Sequence, residues 1–210
     1  MNIKWEAVLF DLDGVLVDAC DWHFDALNEA LSDVLGTTIS RKDHEEKYNG
    51  LPTRVKLEML GVDDENVFNQ IWNKKQNYTT QIINDTAKTM SEKIELHEYL
   101  KSKNIKIACV TNSIEKTAKL MLEKTGQLKY IDLVVANEKV KRNKPYPDCY
   151  NFCLQELNLT KDHYSLSVED SKNGILSAMS SNCGMLWAVK NSTEVNLINF
   201  LDNIKTRIQK

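Results

Sequence analysis

Val8-Leu9-Phe10-Asp11-Leu12-Asp13-Gly14-Val15-Leu16-Val17-Asp18 runs from a short apolar segment into two carboxylates two residues apart, and then a glycine. An apolar run of this length reads as a buried parallel strand. The acid pair and Gly14 mark where that strand opens into a loop, and in open α/β sheets this carboxyl end is where ligands sit. Two carboxylates about 4 Å apart repel by roughly 4 kcal/mol at an effective dielectric near 20. Either one of Asp11 and Asp13 keeps its proton, or a hard cation such as Mg²⁺ answers the pair.

Further runs of the same kind occur at Ile105–Val110, Ile131–Ala136, Tyr164–Val168 and Met185–Val189. Helical patterns separate them at 113–125, 147–158, 172–182 and 192–208. Asn112 with Glu115, and Asn191 with Glu194, stand in capping-box spacing, and Pro147 suits a first helical turn. The alternation predicts a Rossmann-like, doubly wound parallel sheet with right-handed crossovers.

One interval is too long for that rhythm. The first strand ends near residue 10 and the second begins near 105, whereas a βαβ unit needs about 30 residues. Residues 18–86 carry helical stripes alone, one of Phe24, Leu27, Leu31, Val34 and Leu35, another of Val67, Phe68, Ile71, Trp72, Tyr78 and Ile82. The expected organisation is an α/β core of residues 1–17 and 87–210 with a small α-helical cap of residues 18–86. The cap enters directly after the acid pair, as a lid with hinges near 14–18 and 84–88.

Of the 210 residues, 27% are charged and 42% apolar, an ordinary globular balance. A net charge of −3 gives no general attraction to nucleic acid or anionic membranes. No apolar segment approaches the ~20 residues of a membrane helix, and the N-terminus, with Lys4, lacks the long apolar stretch of a secretory signal. Five scattered cysteines suit a reducing cytosol. Cys149 and Cys153, one helical turn apart, and Cys109 and Cys183, in apolar runs, read as core. A cytoplasmic protein, monomeric or weakly dimeric, is expected.

Later strand ends carry more chemistry. Thr111-Asn112-Ser113 offers a hydroxyl and backbone N–H groups at a helix start, suited to phosphate oxygens or to plain capping. In Lys141-Arg142-Asn143-Lys144-Pro145-Tyr146-Pro147-Asp148, two prolines stiffen the backbone that presents Lys144; a solvated basic loop is the alternative. Val168-Glu169-Asp170-Ser171 supplies a second acid pair, which a helix N-terminus also tolerates. Acid pair, hydroxyl, lysine and acid pair, in order at four strand ends, describe a site for a metal and a phosphoryl group, where charge stabilisation and positioning dominate.

FDLDGVLVD, VTNS, KPYPD and VEDSKNG resemble the four motifs of the haloacid dehalogenase superfamily, in order and over essentially the whole chain. The insertion is similar to the helical cap of the β-phosphoglucomutase and sugar-phosphatase branch. The resemblance implies that Asp11 is the nucleophile forming an aspartyl phosphate and that Asp13 is the general acid, then base. It also implies that Thr111, Asn112 and Lys144 bind the transferring phosphoryl group. Mg²⁺ would be held by the side chain of Asp11, the backbone carbonyl of Asp13, and Asp170, with Glu169 ligating or orienting. An aspartate at position 13, rather than a hydroxyl residue, favours phosphoryl transfer over dehalogenation.

In the cap, the resemblance places His23 in the substrate pocket and makes Asn49-Gly50-Leu51-Pro52-Thr53-Arg54 a substrate loop. Arg54 there suits a second anionic or hydroxylated group. Asn49 stands where β-phosphoglucomutase has a lysine, which leaves Lys74 or Lys75 as the cap cation. The implied activity is that of a Mg²⁺-dependent phosphatase of a small phosphorylated metabolite, a sugar or polyol phosphate. A phosphomutase is the alternative, and a non-catalytic binding protein on the same fold a further one. His44, His97 and His163 receive no role, and Trp5, Trp72 and Trp187 read as packing.

Overall fold

The computed structural model describes residues 5–48, 50–159 and 164–208, so Lys4, Asn49 and His163 lie outside the described residues. The chain divides into two compact units, Met1–Asp18 with Lys88–Lys210, and Ala19–Ala87.

The first unit is built on five parallel strands: β1 (Ala7–Phe10), β2 (Lys106–Val110), β3 (Leu133–Val135), β4 (Ser165–Glu169) and β5 (Met185–Ala188). Their order in the sheet is β3-β2-β1-β4-β5. Every β1 residue is fully buried, as a strand covered on both faces must be. The chain steps from β1 through β2 to β3 and then returns to the far side of β1 for β4 and β5, the reversal of a doubly wound sheet. Register aligns the strand ends. Phe10 pairs with both Cys109 and Val168, so Asp11 comes level with Val110 on one side and Glu169 on the other.

The third strand is shorter than its apolar run. Asp132 binds Ile107 through its own N–H (2.8 Å) and through its carboxylate (2.7 Å), closing the ladder one residue before Leu133. At the other end Ala136 passes into the turn Asn137–Lys139.

The second unit contains α1 (Cys20–Leu35), α2 (Arg41–Asp43), a π-helical segment (His44–Tyr48), α3 (Thr53–Met59) and α4 (Glu65–Thr86). Leu27, Ala30 and Leu31 of α1 pack with Leu57, Phe68 and Ile71. Leu35, assigned to the apolar stripe, is exposed, because Gly36 ends the helix in the left-handed region at φ 64°. In α4 it is Ile83, rather than Ile82, that is fully buried. Asp64 caps this helix by accepting the Asn66 and Val67 N–H groups. Among the described residues no helix is long and apolar enough to cross a membrane.

The helices of the first unit are α5 (Ser91–Ser102), α6 (Glu115–Lys124), α7 (Asp148–Glu156), α8 (Lys172–Met179) and α9 (Leu197–Ile208). Cys149, Tyr150, Cys153 and Leu154 of α7 pack with Leu9, Ala108, Val110 and Val135 of the sheet. Two expected caps need correction. At α6 the N-cap is Ile114, without a side-chain bond, and the Glu115 N–H donates instead to the Glu138 carboxylate at 3.0 Å. Asn112 is engaged elsewhere. The pattern at 192–208 is broken: Asn191 caps a single turn, Ser192–Glu194, and α9 starts only at Leu197. The cause is local, since the Asn199 N–H binds Asn196 Oδ1 at 2.9 Å, while the Ser192 and Val195 carbonyls accept from the buried Lys93 ammonium.

His44 and His97, which have no polar-site signature in sequence, are both fully buried. His97 stands edge-on to Phe10 and bonds Gln127 through Nε2 at 2.9 Å; His44 stands edge-on to Phe24 with neither ring nitrogen bonded. Burial pushes each imidazole down from about 6.5 to about 4, and nearby lysines add to it. The unfolded chain therefore takes up protons at a pH where the folded one does not. Each contribution to stability is complete above pH ~6.5 and is lost as pH falls toward about 4, on the order of 3 kcal/mol at most. NMR titration of the two rings should give midpoints near 4; ordinary midpoints near 6.5 would contradict their burial.

Candidate active site

The register of β1 brings the carboxyl ends of three adjacent strands into one place. Asp11 ends β1, its N–H bonded to the Val168 carbonyl at 2.9 Å. Thr111 ends β2, its N–H bonded to Val135 at 2.9 Å. Glu169 closes β4 and Asp170 comes directly after it. Lys144, from the loop before α7, reaches into the same place. Its ammonium donates to Asp11 Oδ1 at 2.7 Å, to the Val110 carbonyl at 2.7 Å, and lies 2.6 Å from Glu169 Oε1.

Asp11 and Lys144 are nearly buried, and Glu169 completely so. Burial disfavours the Lys144 charge, but Asp11 and Glu169 more than offset it and raise its pKa. One ammonium does not satisfy the acids around it. Burial raises the Asp11 carboxyl against the pull of Lys144, and Asp13 pushes it the same way. Glu169 is pushed up to about 8 by burial, with Asp11 adding to the rise against Lys144, and Asp170 to about 7 by burial and Asp11.

Two acid oxygens have no hydrogen-bond partner although they are buried: Glu169 Oε2 and Asp170 Oδ1. Asp11, Glu169 and Asp170 each offer an oxygen within 4.8 Å of the others. An all-oxygen, net-negative set with orphaned acceptors fits a hard divalent cation. Gly14 makes room for the Asp170 carboxylate. A Cβ there would come within 2.0 Å of Asp170 Oδ2, and the residue sits at φ +83°. Gly14→Ala should therefore cost about 1–2 kcal/mol for the backbone alone and displace Asp170. Urea unfolding of the variant checks this; an unchanged midpoint would contradict it.

The other expected residues surround this cluster or hold its backbone. Asp13 is half-buried and accepts the Ser113 hydroxyl at 3.0 Å. Thr111 Oγ1 accepts the Ser113 N–H at 2.9 Å. The Asn112 amide is spent on the Lys144 peptide, accepting its N–H at 3.0 Å and donating to its carbonyl at 3.3 Å. It thus holds the lysine's backbone, a role that its cap-like spacing in the sequence conceals. Asn137 in turn donates to the Asn112 carbonyl at 2.9 Å.

In the helical unit, Lys75 is buried with Nζ 3.5 Å from His23 Nδ1. Lys74 instead pairs on the surface with Asp33 at 2.7 Å. Arg54 pairs with Glu65 at 2.9 Å and lies over the Phe68 ring, 3.9 Å from its centroid. Gly50 takes φ +73° ahead of Pro52.

The central strand ends of this doubly wound sheet carry two acid pairs, and a buried lysine from the loop before α7 reaches between them. Residues 8–188 match the haloacid dehalogenase-like hydrolases, and the chain belongs to that family. It is 29% identical over 193 residues to a phosphorylated carbohydrates phosphatase of Thermotoga maritima, covering 89% of this chain and 86% of that one. A phosphoglycolate phosphatase of Photorhabdus laumondii is 25% identical over 189 residues, covering 84% of this chain and 77% of that one. Among solved structures, a β-phosphoglucomutase from Clostridium difficile shares the fold with a TM-score of 0.80 at 23% identity, covering 98% of this chain and 100% of that one.

Proposed function

We propose that this hydrolase is a Mg²⁺-dependent phosphatase of a small phosphorylated metabolite, a sugar or polyol phosphate, acting through an aspartyl phosphate on Asp11. The observation that carries the reading is the Asp11–Lys144–Glu169 cluster, in which one buried ammonium serves two carboxylates. Relatives named as phosphatases of phosphorylated carbohydrates and of phosphoglycolate support it.

Mg²⁺ would be held by Asp11, Glu169, Asp170 and the Asp13 carbonyl, and when bound it screens the charge between phosphate and nucleophile. Lys144 fixes Asp11 through Oδ1 and leaves Oδ2 as the attacking oxygen. The bond from Oδ2 to phosphorus forms as the ester bond breaks, and Asp13 passes its proton to the leaving oxygen. Water then gives its proton to Asp13 and displaces Asp11 from phosphorus. The Thr111 hydroxyl and the Lys144 ammonium hold the phosphoryl oxygens, while the Asn112 amide steadies Lys144. Selection among esters is assigned to the helical unit, whose polar pair is the half-buried His23 and the buried Lys75.

The test is phosphate release from a panel of sugar and polyol phosphates with Mg²⁺. The reading expects free phosphate, suppressed by a chelator. Isomerised ester without free phosphate would replace it with the phosphomutase, and turnover of no ester would overturn it.

A further inference from the structure

Tyr150 sits on α7, fully buried, with its ring beneath Lys144, whose ammonium lies 5.3 Å from the ring centroid. Its hydroxyl donates to Glu169 Oε1 at 2.5 Å. Lys144 Nζ approaches the same oxygen at 2.6 Å. Two donors thus converge on one carboxylate oxygen, while its twin, Oε2, is buried and has no hydrogen-bond partner. Carboxylate oxygens are equivalent in isolation, so this asymmetry is imposed by the protein. A third element confines the whole carboxylate. At Gly174 in α8, a Cβ would stand 1.9 Å from Glu169 Oε2 and 2.5 Å from Oε1, so the carboxylate occupies space that only a glycine leaves open.

We infer that Tyr150 is a positioning residue for the cation: by holding Glu169 Oε1 it fixes the rotamer that presents Oε2 to a divalent ion among Asp11, Glu169 and Asp170. This inference rests on the metal-dependent function proposed for the cluster. A buried tyrosine hydroxyl needs some partner in any case, but a purely structural bond would not need to select one oxygen of a residue in the acid cluster. Lys144 alone cannot do the work, because it also serves Asp11 and the Val110 carbonyl. Tyr150 is therefore the only donor to the Glu169 carboxylate, among the described bonds, that is not shared with the proposed nucleophile.

The test is Tyr150→Phe, which removes one oxygen and keeps the ring. Binding of Mg²⁺, and of Mn²⁺ as a paramagnetic probe, is measured directly by calorimetry and water-proton relaxation on wild type and variant without substrate. Outer partners of metal ligands typically contribute 10–100-fold in affinity, so Kd should rise by about that factor. With saturating Mg²⁺, kcat should return to within about threefold of wild type. Unchanged metal affinity in the variant overturns the Tyr150 assignment, as does a kcat loss that saturating Mg²⁺ fails to recover at unchanged affinity. If wild type itself binds no divalent ion, the metal-dependent reading fails first, and the two failures are told apart by the wild-type isotherm. Gly174→Ala, which crowds Oε2 from the other side, should weaken binding in the same way.

Discussion

Asp11→Asn should lower kcat by about 10³-fold or more while leaving the fold intact. The amide keeps the size of the side chain and its oxygen can still accept from Lys144. What it loses is the anionic oxygen that attacks phosphorus. Asp11 sits at the end of a strand whose residues are all fully buried, so its backbone position does not depend on its charge. The carboxyl is already strained toward neutrality by burial and by Asp13; the neutral amide relieves that strain. Stability by urea unfolding should therefore hold or rise slightly in the cation-free protein, as activity disappears. Turnover near the wild-type rate would remove Asp11 from the chemistry.

Lys144→Met should cost both activity and stability. Its ammonium is the shared partner of Asp11, Glu169 and the Val110 carbonyl. Breaking a buried ion pair by removing one partner typically costs about 3–5 kcal/mol, because the remaining charge is left without compensation. Two carboxylates lose a partner here, although both can take up protons, which caps the loss near that range. The sign with pH comes from the raised Lys144 pKa. That pair's contribution is present through neutral pH and would be lost only where lysine itself deprotonates, so the wild-type to variant gap should persist at pH 8. Chemical denaturation in chelator at pH 8 checks this. A gap below about 1 kcal/mol would mean that Lys144 is not the partner on which these acids depend.

The sheet was legible chiefly from its central strand β1, a fully buried apolar run ending at a turn, whereas β4 alternates serine with leucine and valine and the edge strand β5 is only partly buried. The site was legible for a related reason: charged residues at the carboxyl ends of buried strands have few structural excuses. Where sequence and structure part, one residue type had two uses. Asn112 has the shape of a helix cap, but its amide matches the Lys144 peptide equally well, and only the fold brings that peptide near. Tyr150 lies in a stripe with Cys153, Leu154 and Leu157, which reads as core; its hydroxyl carries no periodic signal. Lys74 and Lys75 are adjacent, and helical register alone sends one to Asp33 and the other inward beside His23. Arg54 has, beside the substrate role expected of it, an acid and an aromatic neighbour that the sequence does not pair with it. His44 and His97 lie among polar neighbours in sequence, so their burial comes from packing alone.

The most direct test is to trap the covalent enzyme. Wild-type protein turning over p-nitrophenyl phosphate with Mg²⁺ is quenched in acid and treated with borohydride, which reduces an acyl phosphate to an alcohol. Peptide mass spectrometry should then find homoserine in place of aspartate at position 11 and nowhere else. Homoserine at another acidic position, or an unmodified Asp11 under steady turnover, would contradict the mechanism at its root.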